Sequence, residues 1–273
     1  MKTLLIKYPI GSRMVLAILL FVLALLLSTF LNKGLVKAYF PYSAAIFLGV
    51  STWILYKTEN KSLSEIGLNL KMRNLWFLPL GVLIGALAFL VAKYARAIYT
   101  GESLMISDAI EYESILYAFY FILPTVVVEE FLFRGYLFKK TISKTNVIVA
   151  NIIFSILFMS IHVLDEDVLQ NKGMMILLIV SIPVGHLWFA TAMLKSKTLF
   201  FPIGLHLGNN WATRHLISNS NSGDSFLYTI NTATFETWPS FIGFLFIYNG
   251  VFLVVTFLIW KWNDFSIFKI KRN

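Results

Sequence analysis

Residues 126–138 read VVVEEFLFRGYLF and place two adjacent carboxylates and a guanidinium inside an apolar run. The charged residues are Glu129, Glu130 and Arg134, and almost all of their neighbours are aliphatic or aromatic. A charge in apolar surroundings is costly unless it is paired or hydrogen-bonded. The stretch therefore predicts a membrane-buried helix that carries a functional site.

The composition of the whole chain indicates an integral membrane protein. Of its 273 residues, 58% are hydrophobic and 14% are charged, and the mean hydropathy is +0.75. These values lie outside the range of soluble globular domains. The net charge of +9 does not indicate nucleic-acid binding, because the 23 basic residues cluster in short segments between apolar runs and form no continuous basic face. The absence of cysteine excludes disulfides, thiol nucleophiles and Cys-ligated metals.

The distribution of apolar residues predicts an all-α, polytopic membrane protein with about eight transmembrane helices, since a helix needs about 20 apolar residues to cross the bilayer. The first apolar run lacks a clear cleavage site, so we read it as a retained span. With no internal repeat and no soluble domain, residues 1–273 are expected to form a single integral membrane domain. The predicted spans are residues 14–32, 38–56, 76–99, 114–138, 145–163, 173–194, 199–217 and 240–261.

Lysine and arginine residues predict the orientation of these spans. With the N-terminus placed in the cytoplasm, the cytoplasmic segments hold 16 Lys and Arg residues and the outer segments hold six. Because basic residues accumulate in cytoplasmic loops, we expect both termini to be cytoplasmic and the polar Ser218–Pro239 loop to lie outside. The amphipathic residues 61–73 are expected to lie along the inner interface.

Helical geometry separates the two adjacent glutamates. Successive helical residues are rotated by about 100°, so Glu130 and Arg134, at i and i+4, share a face and can pair. Glu129 points elsewhere and needs either a partner on another span or a proton. A buried ion pair that only fixes helix packing would therefore account for Glu130 but not for Glu129.

Two further polar elements occur on later spans. The sequence FMSIH ends in His162, and the sequence HLGNN places His206 and Asn210 at i and i+4 on one helical face. A lone histidine or asparagine on an apolar helix more often bonds to a neighbouring helix, whereas two stacked polar groups favour a site. His186 has no companion at helical spacing and is read as a core residue.

Together these elements resemble the CAAX protease and bacteriocin-processing family, also called the Abi family, of glutamate-dependent intramembrane endopeptidases. The motifs of that family are EExxxR, FxxxH and HxxxN/B, and they occur here in order on three separate spans. The resemblance covers residues 62–212, which we take as the catalytic core. The motif positions are Glu129, Glu130, Arg134, Phe158, His162, His206 and Asn210.

The resemblance implies hydrolysis of a peptide bond inside the membrane by an activated water. Glu129 is then the general base, and His162 orients the water with it. His206 and Asn210 would donate hydrogen bonds to the developing oxyanion. The supporting residues are Glu130, Arg134 and Phe158. The implied substrate is a membrane-embedded or lipidated peptide or protein, and the implied setting is the lipid bilayer of a bacterial cell membrane.

Several alternatives remain open from the sequence. We expect no cofactor, but Glu129, His162 and His206 could instead hold zinc, because two histidines and one carboxylate are a catalytic zinc set. A transporter would also use buried acids and histidines, although no matching pair of broken spans is present. A third hypothesis is a non-catalytic immunity scaffold in which the motif residues are remnants. The presence of every motif residue argues against it. The biological role could be CAAX-type processing, or bacteriocin maturation and self-immunity.

Overall fold

The computed structural model describes residues 9–230, 235 and 237–262, and these form a bundle of α-helices with one small sheet. A 3-10 turn covers Leu63–Ile66 and a π-helical turn covers Ala212–Leu216. The α-helices are α1 (Pro9–Leu31), α2 (Gly34–Tyr39), α3 (Ser43–Lys57), α4 (Met72–Leu75), α5 (Phe77–Thr100), α6 (Tyr112–Arg134), α7 (Tyr136–Lys144), α8 (Val147–Val163), α9 (Glu166–Gln170), α10 (Lys172–Ser196), α11 (Phe200–Trp211) and α12 (Trp238–Lys261).

The all-α membrane architecture is confirmed, but the predicted count of eight spans is not. Among the described residues, five segments are long and apolar enough to cross a membrane: Ile10–Leu31, Met72–Thr100, Tyr112–Lys144, Lys172–Ser196 and Trp238–Lys261. Helices α3, α8 and α11 occupy the other three predicted positions with 15, 17 and 12 residues. At about 1.5 Å per residue, α11 is about 18 Å long and too short to cross the hydrocarbon alone.

A three-stranded sheet joins loops at one end of the bundle. The strands are β1 (Ser103–Ile106), β2 (Ile217–Ser218) and β3 (Leu227–Ile230), in the order β1-β3-β2. Strand β3 is antiparallel to β1 and parallel to β2. Part of the predicted Ser218–Pro239 loop is therefore an ordered strand. Its residues 231–234 and 236, and both chain termini, lie outside the described residues.

The loops at the opposite end of the bundle are joined by polar contacts. The carboxylate of Glu59 accepts hydrogen bonds of 2.5 Å from Lys140 and from the Tyr136 hydroxyl. Burial raises the pKa of Glu59, but these two hydrogen bonds and the Lys140 charge outweigh burial and hold the pKa below its usual value. The resulting stabilisation is present at neutral pH and is lost as the pH falls through the lowered pKa.

The segment predicted to be amphipathic, residues 61–73, forms the 3-10 turn and the start of α4. Its Ile66 is fully buried, and the Ile66 carbonyl accepts a hydrogen bond of 2.9 Å from the Leu199 amide. The Thr198 hydroxyl donates to the Gly67 carbonyl at 3.0 Å. These bonds fix the start of α11 at this end of the bundle.

Helices α5 and α11 approach each other through glycines on both partners. Gly81 and Gly85 on α5 lie against the part of α11 that contains Gly204 and Gly208. Within each helix, three residues separate the two glycines. A methyl group on Gly204 would overlap the Leu78 carbonyl oxygen. Small residues at this spacing allow helix backbones in a membrane to pack closely. The contact places the polar face of α11 deep in the bundle.

We expect Gly204→Ala to lower the melting temperature in detergent, because the added methyl group must push α5 and α11 apart at a cost of about 1–3 kcal/mol. Gly250→Ala in α12 is the matched control, since no described residue lies within 4 Å of a methyl group there. Equal melting temperatures for the two variants would show that the close approach does not contribute to stability.

Candidate active site

A cavity of about 490 Å³ lies between α6, α8, α10, α11 and α12. Four of the predicted catalytic residues contribute to its wall: Glu129, His162, His206 and Asn210. Phe158 also lines it, and the remainder of the wall is mostly aliphatic and aromatic. Residues that are far apart in the sequence are thus gathered around one space of a size typical of ligand sites.

Beneath the cavity lies the ion pair that the helical spacing predicts. Arg134 Nη1 is 3.2 Å from Glu130 Oε1, and both side chains are 0% exposed. The Arg134 guanidinium lies over the ring of Phe158, at 4.2 Å from the centroid, and near the ring of Phe189, at 5.2 Å. Among the described residues, its Nε and Nη2 have no hydrogen-bond partner, so the aromatic faces supply part of the compensation for burying the charge.

His206 connects this pair to the second glutamate. Its Nδ1 is 2.9 Å from the Glu130 oxygen that also contacts Arg134. Because an ionised carboxylate can only accept, the Nδ1–H of His206 donates this bond. On the opposite edge of the ring, Nε2 lies 3.5 Å from Glu129 Oε2. Glu129 therefore finds its neighbour on another helix, as its position on α6 requires.

The two glutamates have different surroundings. Glu130 is fully buried, whereas the Glu129 side chain is 17% exposed and faces the cavity. Because the imidazole proton lies on Nδ1, His206 Nε2 and the Glu129 carboxylate are both acceptors at this contact. Among the described residues, Glu129 Oε2 has no hydrogen-bond partner. Glu129 thus presents an unused acceptor in a confined space, while the Phe189 ring, stacked on His206 at 4.6 Å, fixes the imidazole.

His162 stands on the cavity wall apart from these groups. Its Nδ1 donates to the Phe158 carbonyl at 2.8 Å, and its ring meets the Phe158 ring edge to face at 4.7 Å. In the described part of the chain, no hydrogen bond or ion pair joins His162 to Glu129. The backbone bond assigns a proton to Nδ1 and leaves Nε2 available to a molecule in the cavity.

Further polar residues on the wall escaped the sequence analysis. Asn209 lies one position before the predicted Asn210, and Tyr248 and Asn249 come from α12. The side-chain oxygens of Asn209 and Asn249 are buried and have no hydrogen-bond partner in the part of the chain that the structure describes. Asn209 could have been found, because it stands at i+3 from His206 and shares its face. His186, read as a core residue, is fully buried and does not line the cavity.

The zinc alternative requires three ligands to converge. Within residues 9–230, 235 and 237–262, no three His, Asp or Glu side chains are close enough together to hold a metal ion. Glu129 and His206 are neighbours, but His162 does not complete the set. As placed, these three residues do not fit a zinc site.

The residues around the cavity also match a known family. Residues 111–212 match the family model described as type II CAAX prenyl endopeptidase, Rce1-like. The matched segment runs from the residue before α6 to the residue after α11 and contains all seven motif positions. The match confirms the resemblance found in the motifs. No curated protein and no solved structure matches the chain.

We expect Glu130→Gln to lower the free energy of unfolding in detergent by about 3–5 kcal/mol, because it leaves a buried guanidinium without its counter-charge. Combining Glu130→Gln with Arg134→Met removes the orphan charge and should recover part of the loss. Urea or thermal unfolding of the single and double variants measures both effects. A double variant no more stable than Glu130→Gln would contradict the pairing.

Proposed function

From the premise that residues 111–212 form an Rce1-like segment of the CAAX protease family, we propose that the protein is an intramembrane endopeptidase whose nucleophile is a water activated by Glu129. One observation carries the proposal. A carboxylate with an unused oxygen faces a cavity inside the bundle, 3.5 Å from an imidazole whose other nitrogen is held by a buried acid. Carboxylates and histidines at such spacing act as general bases.

In the proposed reaction, the water oxygen attacks the carbonyl carbon of the scissile peptide while Glu129 takes its proton. The tetrahedral intermediate then collapses, the C–N bond breaks, and the proton passes from Glu129 to the departing amine. No covalent enzyme intermediate is required.

His206 acts in this proposal as a positioning residue for Glu129 rather than as the oxyanion donor expected from the motifs. Since its Nδ1–H is bound to Glu130, its Nε2 is turned toward Glu129 and can share the proton in transit. Glu130 therefore does more than pair with Arg134, because it also sets the tautomer and the ring orientation, as a buried acid does in hydrolase triads.

In this proposal, side-chain amides on the same helix as His206 stabilise the oxyanion. Asn210, and with it Asn209, lines the cavity one turn beyond His206 and carries N–H donors of the kind that stabilise developing negative charge. Across the cavity, the free Nε2 of His162 can hold the attacking water. The aliphatic remainder of the wall, including Leu177, Leu178 and Ile182, suits a substrate segment embedded in the membrane.

Glu129→Gln should keep the fold and its melting temperature while lowering cleavage by about 100-fold or more, because it removes the base and preserves the shape. Glu113→Gln, at an exposed glutamate of the same helix, is the matched control and should cleave normally. Comparative peptidomics of membranes carrying each variant supplies the readout and identifies the peptide that disappears. Full activity of Glu129→Gln in a folded protein would refute the protease assignment.

The proposed chemistry uses no metal, so purified protein should contain less than stoichiometric zinc and keep its cleavage rate in a strong chelator. Metal analysis and a cleavage assay with and without chelator measure this. One equivalent of zinc together with chelator-sensitive cleavage would instead support the zinc form of the protease, since structural or catalytic zinc is bound stoichiometrically.

A further inference from the structure

The bundle has two distinct ends. The sheet face is the end that carries the three strands; there the Glu111 amide donates to the Gly223 carbonyl at 2.8 Å and the Trp211 indole donates to the Ile115 carbonyl at 2.9 Å. The basic face is the opposite end, where Arg13 donates to the Thr58 carbonyl at 3.3 Å. The bonds of Glu59 with α7 and of Leu199 with the 3-10 turn also lie on the basic face.

The cavity extends from the catalytic groups toward the sheet face. On α11, its wall begins at His206 and continues only to later residues, as far as Arg214 in the π-helical turn. On α6 it includes Glu129 and the earlier Thr125 but nothing nearer to α7, and on α10 it stops at Phe189 and includes only earlier residues. In each of these helices the lining residues lie between the depth of Glu129 and His206 and the sheet face.

The other end of the cavity is closed. Arg134, Tyr136, Phe201 and Leu205 lie on the basic-face side of the catalytic groups, and each is 0% exposed. The buried Glu130–Arg134 pair forms part of this floor. A substrate approaching from the basic face would have to displace that packed layer, whereas the mouth at Thr213 and Arg214 is exposed.

The two faces also differ in their numbers of basic and acidic residues. Among the described residues, the basic face holds eleven Lys and Arg against two acids, in segments 9–13, 57–73, 139–144, 195–197 and 261. The sheet face holds six Lys and Arg against eight acids, in segments 32–42, 93–113, 164–172 and 212–230. Because Lys and Arg accumulate on the cytoplasmic side of membrane proteins, this difference orients the basic face toward the cytoplasm.

We propose that the catalytic cavity opens on the non-cytoplasmic side of the membrane and receives its substrate there. That a substrate enters there rests on the proposed protease function. The side of the membrane on which the cavity opens does not depend on that function. The expected substrate is a translocated peptide or the non-cytoplasmic end of a transmembrane segment. A protein anchored in the cytoplasmic leaflet is not expected to reach the cavity.

The absence of native cysteine allows a direct test by single-cysteine labelling in intact cells with a membrane-impermeant maleimide. Thr213→Cys reports the cavity mouth, Gln170→Cys reports an exposed position of the sheet face, and Lys144→Cys reports an exposed position of the basic face. We expect Thr213→Cys and Gln170→Cys to be labelled in intact cells and Lys144→Cys only after permeabilisation.

Two labelling results would overturn the proposal. Labelling of Lys144→Cys in intact cells, with protection of Gln170→Cys, would reverse the orientation. Labelling of Gln170→Cys but not of Thr213→Cys, even after permeabilisation, would show that the cavity does not open on the sheet face.

Activity is measured separately in the same cells. External maleimide should stop Glu129-dependent processing in Thr213→Cys and leave processing in Gln170→Cys unchanged. If no Glu129-dependent processing exists in the native protein, the proposed function fails while the labelling still decides the orientation. If processing exists and external modification of Thr213→Cys does not reduce it, the entry route is wrong although the protease function stands.

Discussion

The site depends on one fully buried carboxylate oxygen that is shared by two donors. Glu130 Oε1 lies 3.2 Å from Arg134 Nη1 and 2.9 Å from His206 Nδ1, so a single acid neutralises a guanidinium and orients an imidazole. Placing these groups away from water carries a large desolvation penalty. The shared oxygen and the surrounding aromatic rings offset that penalty, and the second glutamate remains available for chemistry.

Helix packing brings the two halves of this arrangement together. Glu130 and Arg134 are neighbours on α6, but His206 comes from α11, a helix of 12 residues. Because glycines let the backbones of α5 and α11 almost touch, α11 sits inside the bundle rather than at its lipid-facing surface. The glycines two positions before and after His206 therefore help to determine where the imidazole lies.

Local spacing in the sequence predicts part of this site. The i,i+4 relation pairs Glu130 with Arg134 and stacks His206 with Asn210, and it shows that Glu129 must look to another helix. It does not reveal that His206 is that neighbour, nor which ring nitrogen faces which acid, because helix-to-helix distances are set by tertiary packing. The count of eight spans is not confirmed for a related reason: an apolar run such as residues 199–217 suits a buried short helix as well as a membrane span. Asn249 was missed because it is a lone polar residue beyond the motifs.

Glu130 holds the proton of His206 on Nδ1 and turns Nε2 toward Glu129. The chain has only four histidines, so ¹⁵N NMR of histidine-labelled protein can resolve this ring, with His206→Gln assigning its signals. We predict a protonated Nδ1 for His206 in the native protein and loss of that signature in Glu130→Leu, which removes the acceptor. An unprotonated Nδ1 in the native protein, with the proton on Nε2, would contradict the account.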